Sequence, residues 1–147
     1  MITLRHFNGN DTESIKKNIY PDMTLSEIRN MILEWNKNVY DGKFFEMIAI
    51  ASGDTIVGYC SIVGQSKSIV SLGTEVYSGY QGEGIATEAV AALIKYASTK
   101  GYKLVMDQVR ADNDASIKLH EKLGFETDGY IYKNQKNHDV VIYIKQI

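Results

Sequence analysis

The feature that most constrains the fold is a glycine-containing turn between a strand-like segment and a helix-like segment. The turn reads Tyr80-Gln81-Gly82-Glu83-Gly84-Ile85-Ala86 and follows a β-rich stretch at residues 68–77. Behind the turn, apolar residues recur at helical spacing to about Lys100, and a further β-rich stretch follows at 102–110. A strand, a helix and a strand in this order form a right-handed crossover with parallel strands. The turn is therefore predicted at the carboxyl end of a strand, where open α/β sheets bind ligands.

The rest of the chain predicts further helices and antiparallel strands around this unit. Thr24-Leu25-Ser26-Glu27 is a capping box, and the helix that it starts ends at Asp41-Gly42. Ser52-Gly53-Asp54 separates two β-rich runs and indicates a hairpin. The predicted strands are residues 2–6, 44–51, 55–63, 68–77, 102–110, 125–133 and 139–145, and the predicted helices begin near residues 10, 24, 85 and 113. This is an α/β (α+β) fold with a mixed sheet, in the order β-α-α-β-β-β-α-β-α-β-β.

Composition excludes several classes of protein. The 147 residues carry 16 basic and 18 acidic side chains, so the formal net charge of −2 gives no basic excess for nucleic acid. The length predicts one domain over residues 1–147. No run reaches the roughly 18 apolar residues of a membrane span, and the N-terminus has no secretory signal. A single cysteine, Cys60, and three scattered histidines indicate a reducing compartment and no local metal site. We therefore expect a cytoplasmic protein that binds neither membrane nor metal.

A strand, a glycine turn and a helix N-terminus together favour anion binding. Free backbone N–H groups and the positive end of the helix dipole point to the same place. Gly82 and Gly84 let the backbone approach a ligand, although they also suit a plain turn into the helix. A P-loop is disfavoured because Ile85-Ala86, rather than Lys and Ser/Thr, follow Gly84. A dinucleotide site stays open: Thr87 replaces the usual Gly or Ala, but Asp107 lies about where a ribose-binding acid would be.

Two segments resemble the signatures of the GNAT superfamily of acyl-CoA-dependent N-acetyltransferases. Residues 81–86, Gln-Gly-Glu-Gly-Ile-Ala, resemble Gln/Arg-x-x-Gly-x-Gly/Ala. Residues 113–125, Asn-Asp-Ala-Ser-Ile-Lys-Leu-His-Glu-Lys-Leu-Gly-Phe, resemble Asn-x-x-Ser-x-x-Leu-Tyr-x-Lys-x-Gly-Phe. The likeness concentrates in residues 72–130 and is nearest to the branch that acetylates protein N-termini and small amines. It implies a GNAT-like fold, acetyl-CoA as co-substrate, an amine acceptor and a homodimer.

The resemblance also implies which residues bind the cofactor. The residues that it assigns to the pyrophosphate are Gln81, Gly82, Glu83, Gly84, Ile85 and Ala86. The backbone of Val76 would contact the pantetheine and the thioester carbonyl, although the Val76 side chain also suits the core. Asn113 and Ser116 would contact the cofactor, and the same two residue types suit a helix cap.

Two residues are candidates for proton transfer. Glu75 precedes the glycine turn, and a carboxylate beside the cleft can take a proton directly or through water, although Glu75 also suits a solvent-facing strand position. Asp107 is the alternate base. His120 stands where the family has a tyrosine acid, and a histidine can be protonated near neutral pH. The other interpretation of His120 is a satisfied, half-buried histidine.

These observations predict an acyltransferase, an acetyl-CoA-dependent N-acetyltransferase. The amine of a small molecule or of a protein N-terminus would attack the thioester directly. Two alternatives stay open: a non-catalytic acyl-CoA-binding module and a dinucleotide-binding oxidoreductase.

Overall fold

The strands of the chain join in a single eight-stranded sheet. The computed structural model describes residues 1–147. Its strands are β1 (Thr3–His6), β2 (Val39–Tyr40), β3 (Lys43–Ser52), β4 (Thr55–Gly64), β5 (Ile69–Val76), β6 (Leu104–Arg110), β7 (Tyr132–Lys133) and β8 (Asp139–Gln146). The sheet order is β1-β3-β4-β5-β6-β8-β7, and β2 pairs with β3. Only β5 and β6 pair in parallel. The predicted mixed sheet with one parallel crossover is confirmed.

Helices cover both faces of the sheet. They are α1 (Thr12–Asn18), α2 (Leu25–Trp35), α3 (Ile85–Thr99) and α4 (Asp114–Lys122), and a 3₁₀ turn at Gly9–Asp11 precedes α1. Along β3, Ile48 packs in the core beneath α3, whereas its neighbour Ala49 packs in the core beneath α1 and α2. Because successive strand residues point to opposite faces, the two cores lie on opposite sides of the sheet. None of the helices combines the length and apolar character that a membrane crossing requires.

The strands β5 and β6 separate soon after they pair. Their parallel register covers only Ile69 with Leu104 and Val70 with Val105. Beyond that point a side chain replaces the backbone ladder, because the Leu72 N–H donates to Asp107 Oδ1 at 2.8 Å. The carboxyl halves of the two strands therefore border a gap, with α3 beginning at one side of it and α4 at the other.

The prediction of a strand at residues 125–133 is wrong for most of that range. Only Tyr132–Lys133 forms a strand, and Glu126 makes an isolated bridge to Ile144. Between them, the Thr127 hydroxyl accepts from the Gly129 N–H and Asp128 Oδ1 accepts from the Tyr130 N–H. These local bonds compete with a strand ladder and turn the chain. The prediction that the second helix extends to Asp41-Gly42 is also wrong, because α2 ends at Trp35 and the short strand β2 follows it.

Candidate active site

A cleft of about 660 Å³ occupies the gap between β5 and β6. Its walls are the carboxyl half of β5, the glycine turn, the first turn of α3, part of β6 and one face of α4. The predicted site residues that line it are Glu75, Val76, Gln81, Gly82, Gly84, Ile85, Ala86, Asn113, Ser116 and His120. Glu83 is exposed and is not among the lining residues. The cleft thus brings together residues of both sequence signatures, which are separated by almost thirty positions.

The glycine turn has the geometry of an anion cradle. Gly82 and Gly84 have φ of +81° and +79°, a left-handed conformation that favours glycine. A Cβ at either position would meet no protein atom within 4 Å, so the backbone has open space in front of it. Gly84 is the N-cap of the 15-residue helix α3 and offers no side-chain cap. The first N–H groups of α3 therefore lack an intrahelical partner and suit a negatively charged ligand.

Backbone groups of β5 face the gap where the ladder to β6 has ended. The Leu72 N–H points to β6, and alternate residues along a strand share that direction, so the backbone groups of Thr74 and Val76 also face the gap. The Val76 carbonyl accepts from Gln81 Nε2 at 3.0 Å. Gln81 thus ties the glycine turn to the end of β5, a contact that the sequence did not predict.

The Glu75 side chain lies on the face of β5 opposite to the side chains of Thr74 and Val76, next to a tyrosine of β4. Glu75 Oε2 accepts from the Tyr59 hydroxyl at 2.9 Å, and the two residues are direct partners in the β4–β5 register. Burial, followed by the hydrogen bond to Glu75, raises the pKa of Tyr59 well above its usual value, so the hydroxyl keeps its proton. The Tyr77 ring lies 6.4 Å from that of Tyr59, and its buried hydroxyl has no hydrogen-bond partner. Tyr59, Glu75 and Tyr77 come together through the β4–β5 register, so no local sequence signal could have predicted this cluster.

His120 is more deeply buried than its helical position suggests, at 7% exposure. Its Nδ1 lies 2.7 Å from the Ser116 carbonyl oxygen, and its Nε2 lies 2.8 Å from Asp107 Oδ2. The Ser116 carbonyl can only accept, so Nδ1 carries a proton, and a carboxylate at Asp107 would require a second proton on Nε2. Burial opposes a charged ring, but the bonds to Asp107 and Ser116 and the attraction of the Asp107 charge outweigh it and raise the pKa of His120. Asp107, the alternate base, has both oxygens engaged.

The first turn of α4 combines a cap with cleft-lining groups. Asn113 Oδ1 accepts from the Ser116 N–H at 3.1 Å, so Asn113 is the N-cap of α4 as well as a cleft residue. The Ser116 hydroxyl lies 3.4 Å from His120 Nδ1. Lys118 and Lys122 also line the cleft, although helical periodicity alone favours a solvent-facing position for both. Two cations at the cleft add to its preference for an anion. No group of three or more His, Cys, Asp or Glu side chains is arranged to hold a metal ion.

The comparisons with known proteins agree with this geometry. The family profile described as an acetyltransferase (GNAT) domain matches residues 2–126. The chain is 30% identical to the uncharacterized N-acetyltransferase YokL, derived from the SPbeta prophage of Bacillus subtilis (strain 168). That alignment covers 71% of this chain and 60% of YokL, so the chain spans about three fifths of this relative.

Two solved structures share the fold over 99% of this chain. The microcin C7 self-immunity acetyltransferase MccE, in complex with acetyl-CoA and AMP, has a TM-score of 0.78 at 22% identity, with 92% of its chain covered. The ribosomal L7/L12 α-N-protein acetyltransferase RimL, in complex with coenzyme A, has a TM-score of 0.84 at 18% identity, with 94% of its chain covered. Since the family profile covers most of the sequence, the chain belongs to the GNAT acetyltransferase family.

Proposed function

We propose that residues 1–147 form one acetyltransferase domain that transfers the acetyl group of acetyl-CoA to a primary amine. The acceptor is a small molecule or a protein N-terminus, and its amine attacks the thioester directly. The observation that carries the proposal is the cleft between β5 and β6, which has an anion cradle at one end and Glu75 of β5 among its lining residues. Acetyl-CoA supplies the activated acetyl group.

Three elements of the cleft suit the anionic co-substrate. The backbone N–H groups of residues 81–86 and the α3 dipole bind the pyrophosphate, and Lys118 and Lys122 add positive charge. The N–H of Val76 faces the gap and donates to the thioester oxygen, on which negative charge develops during attack. Asn113 and Ser116 border the same space from α4.

Glu75 is the proposed base: it takes a proton from the incoming ammonium group, passes it to water, and then takes the second proton that the nitrogen gives up as the C–N bond forms. Tyr59 donates to Oε2 and, because of its raised pKa, remains a donor at neutral pH. That bond orients the carboxylate and leaves Oε1 to accept the proton of the amine, either directly or through one water.

His120 is the proposed source of the proton that the departing thiolate takes up. Its ring is buried behind Ser116, so the proton needs an intermediate carrier. As the C–S bond breaks and its electron pair moves to sulfur, the Ser116 hydroxyl gives its proton to the sulfur. In the same step the Nδ1–H of His120 moves from the Ser116 carbonyl oxygen to the Ser116 hydroxyl oxygen, 3.4 Å from Nδ1, and replaces that proton, which leaves a neutral ring.

A thiol-release assay with a panel of amines tests this function. We expect CoA to appear from acetyl-CoA when alkylamines, amino acids or peptides with a free N-terminus are present, and not in their absence. Acetyl-CoA at one hundred times its dissociation constant is expected to stabilise the fold by about 2.7 kcal/mol. Stabilisation without thiol release from any amine would support the non-catalytic module. Stabilisation by NAD in place of acetyl-CoA would support the oxidoreductase.

Gly84→Val is expected to abolish acetyl-CoA binding while the protein still folds. The new side chain would project into the open space before the cradle, and its left-handed backbone costs about 1–2 kcal/mol. The thermal shift on adding acetyl-CoA measures the loss. Gly42→Val is the matched control, because Gly42 has φ of +75°, equally open surroundings and a position outside the cleft. An unchanged shift in folded Gly84→Val would remove the turn from the binding site.

Asn113→Asp is expected to separate capping from cofactor contact. Aspartate is as good an N-cap as asparagine, so the free energy of unfolding should hold within about 0.5 kcal/mol. The added negative charge lies beside an anionic co-substrate and should weaken acetyl-CoA binding about fivefold, or about 1 kcal/mol. Calorimetric titration measures the affinity, and Asn113→Ser keeps the cap without the charge. Equal affinity in Asn113→Asp and the unmodified protein would leave only the capping role.

A further inference from the structure

The carboxylate of Asp107 joins two walls of the cleft to β6. Its Oδ1 accepts from the Leu72 N–H of β5 at 2.8 Å, and its Oδ2 lies 2.8 Å from Nε2 of His120 on α4. Asp107 is only 4% exposed, so these bonds form away from bulk water, where an unpaired carboxylate would be costly. One side chain thus contacts β5, β6 and α4 at once.

The bond to Leu72 determines where the gap begins. In a continued parallel ladder, the Leu72 N–H would donate to a backbone carbonyl of β6. If the register of Val70 with Val105 continued, that carbonyl would be the one of Met106, which instead accepts from the Ser71 hydroxyl. The Asp107 side chain therefore stands between the two backbones and leaves the backbone groups of Thr74 and the N–H of Val76 available to a ligand.

The bond to His120 determines the protonation state of that ring. The Ser116 carbonyl can only accept, so Nδ1 carries a proton, and an ionised Asp107 requires a second proton on Nε2. Tyr143 of β8 also faces the ring, with its ring centroid 5.5 Å away, and the Phe125 ring contacts the His120 ring edge-on. Asp107 is the one carboxylate bonded to the ring.

We propose that Asp107 is a positioning residue that holds β5 and β6 apart in the cofactor cleft and keeps His120 doubly protonated. Oδ1 holds the strands apart through Leu72, and Oδ2 acts on the His120 ring. The consequence for turnover rests on the proposed function, in which His120 is the proton source. The consequences for the His120 ring and for co-substrate affinity do not.

Asp107→Asn and Asp107→Ala separate the two tasks. In Asp107→Asn the amide oxygen still accepts from Leu72, while the amide NH₂ donates to Nε2 and makes the neutral Nδ1–H ring the favoured form. We expect unchanged acetyl-CoA affinity and turnover that falls about 10²-fold. In Asp107→Ala the Leu72 N–H loses its acceptor, and we expect acetyl-CoA affinity to fall about tenfold as well. Asp112→Asn, an exposed aspartate just beyond β6, is the matched control and should change neither quantity.

Nitrogen NMR of the His120 ring gives a readout that needs no turnover. At pH 6.5, where an unperturbed histidine is about half neutral, His120 should be mainly doubly protonated in the unmodified protein and neutral in Asp107→Asn. A mainly neutral His120 in the unmodified protein would overturn the proposal, as would a loss of acetyl-CoA affinity in Asp107→Asn equal to that in Asp107→Ala. A doubly protonated ring in a protein that binds acetyl-CoA but acetylates no amine would contradict the proposed function alone.

Discussion

Glu75→Gln is expected to lower turnover by roughly 10²-fold or more at neutral pH and to leave acetyl-CoA affinity unchanged. Glutamine has the size of glutamate, and its amide oxygen can still accept from the Tyr59 hydroxyl, so the local structure should persist. It cannot take a proton from the incoming amine. Steady-state thiol release, with calorimetric titration of acetyl-CoA, separates the loss of turnover from a loss of binding.

The pH dependence of this variant identifies the missing step. Without a base, only the free-amine form of the acceptor can attack, so turnover of Glu75→Gln should rise with pH and approach that of the unmodified enzyme. Tyr59→Phe should have a smaller effect, since the carboxylate remains and only its orienting bond is lost. Glu34→Gln changes an exposed carboxylate on α2 and should have no effect. Full turnover of Glu75→Gln at neutral pH would remove Glu75 from the reaction.

The parts of the site that the sequence predicted are those that local chemistry determines. Glycine readily adopts the left-handed φ that residues 82 and 84 have, and Gly84 caps α3 where the periodicity indicates that a helix begins. Asn113 caps α4 through the bond of its side chain to a backbone N–H three residues on. Such signals lie within one turn of the chain and need no knowledge of tertiary contacts.

The parts that the sequence did not predict depend on how distant segments meet. Tyr59 meets Glu75 only because the β4–β5 register aligns them, and a shift of one residue would turn Tyr59 to the opposite face. Asp107 meets His120 because α4 packs against β6. The strand predicted at residues 125–133 is wrong for a local reason. Hydrogen bonds from backbone N–H groups to the Thr127 and Asp128 side chains turn the chain and outweigh its β-rich composition.

Gly58 lies outside both sequence motifs, yet the packing of β4 against β5 requires a glycine there. It pairs with Val76 in the β4–β5 register, and a Cβ at this position would overlap the carbonyl oxygen of Glu75. The close approach of β4 at Gly58 thus fixes the position of the β5 segment that carries the Glu75 side chain and the Val76 N–H. A glycine in the middle of a strand shows only that something approaches closely, and the structure identifies that neighbour.

His120→Phe is expected to lower the free energy of unfolding by about 3–5 kcal/mol, because Asp107 would stay buried with no charged partner. Replacing both residues, as in Asp107→Leu with His120→Phe, should recover part of that loss. Turnover per folded molecule should fall roughly 10²-fold with little change in acetyl-CoA affinity, since the bond from Leu72 to Asp107 remains. His120→Tyr restores a hydroxyl donor and is expected to retain turnover. Denaturant unfolding and thiol release at a temperature where every variant is folded measure the two effects.

The pH dependence of the stability loss tests whether His120 carries the charge. The pKa of His120 is raised in the folded protein, so its contribution is fully present below the unfolded value of about 6.5 and is lost as pH rises through the higher folded value. The difference in unfolding free energy between the unmodified protein and His120→Phe should therefore be largest near pH 6 and shrink as the pH rises above about 6.5. His138→Gln, at a half-buried histidine outside the cleft, is the control for general effects of pH. A difference that stays constant over this range would show that the His120 ring is neutral and that Asp107 acts on it only as a neutral hydrogen-bond partner.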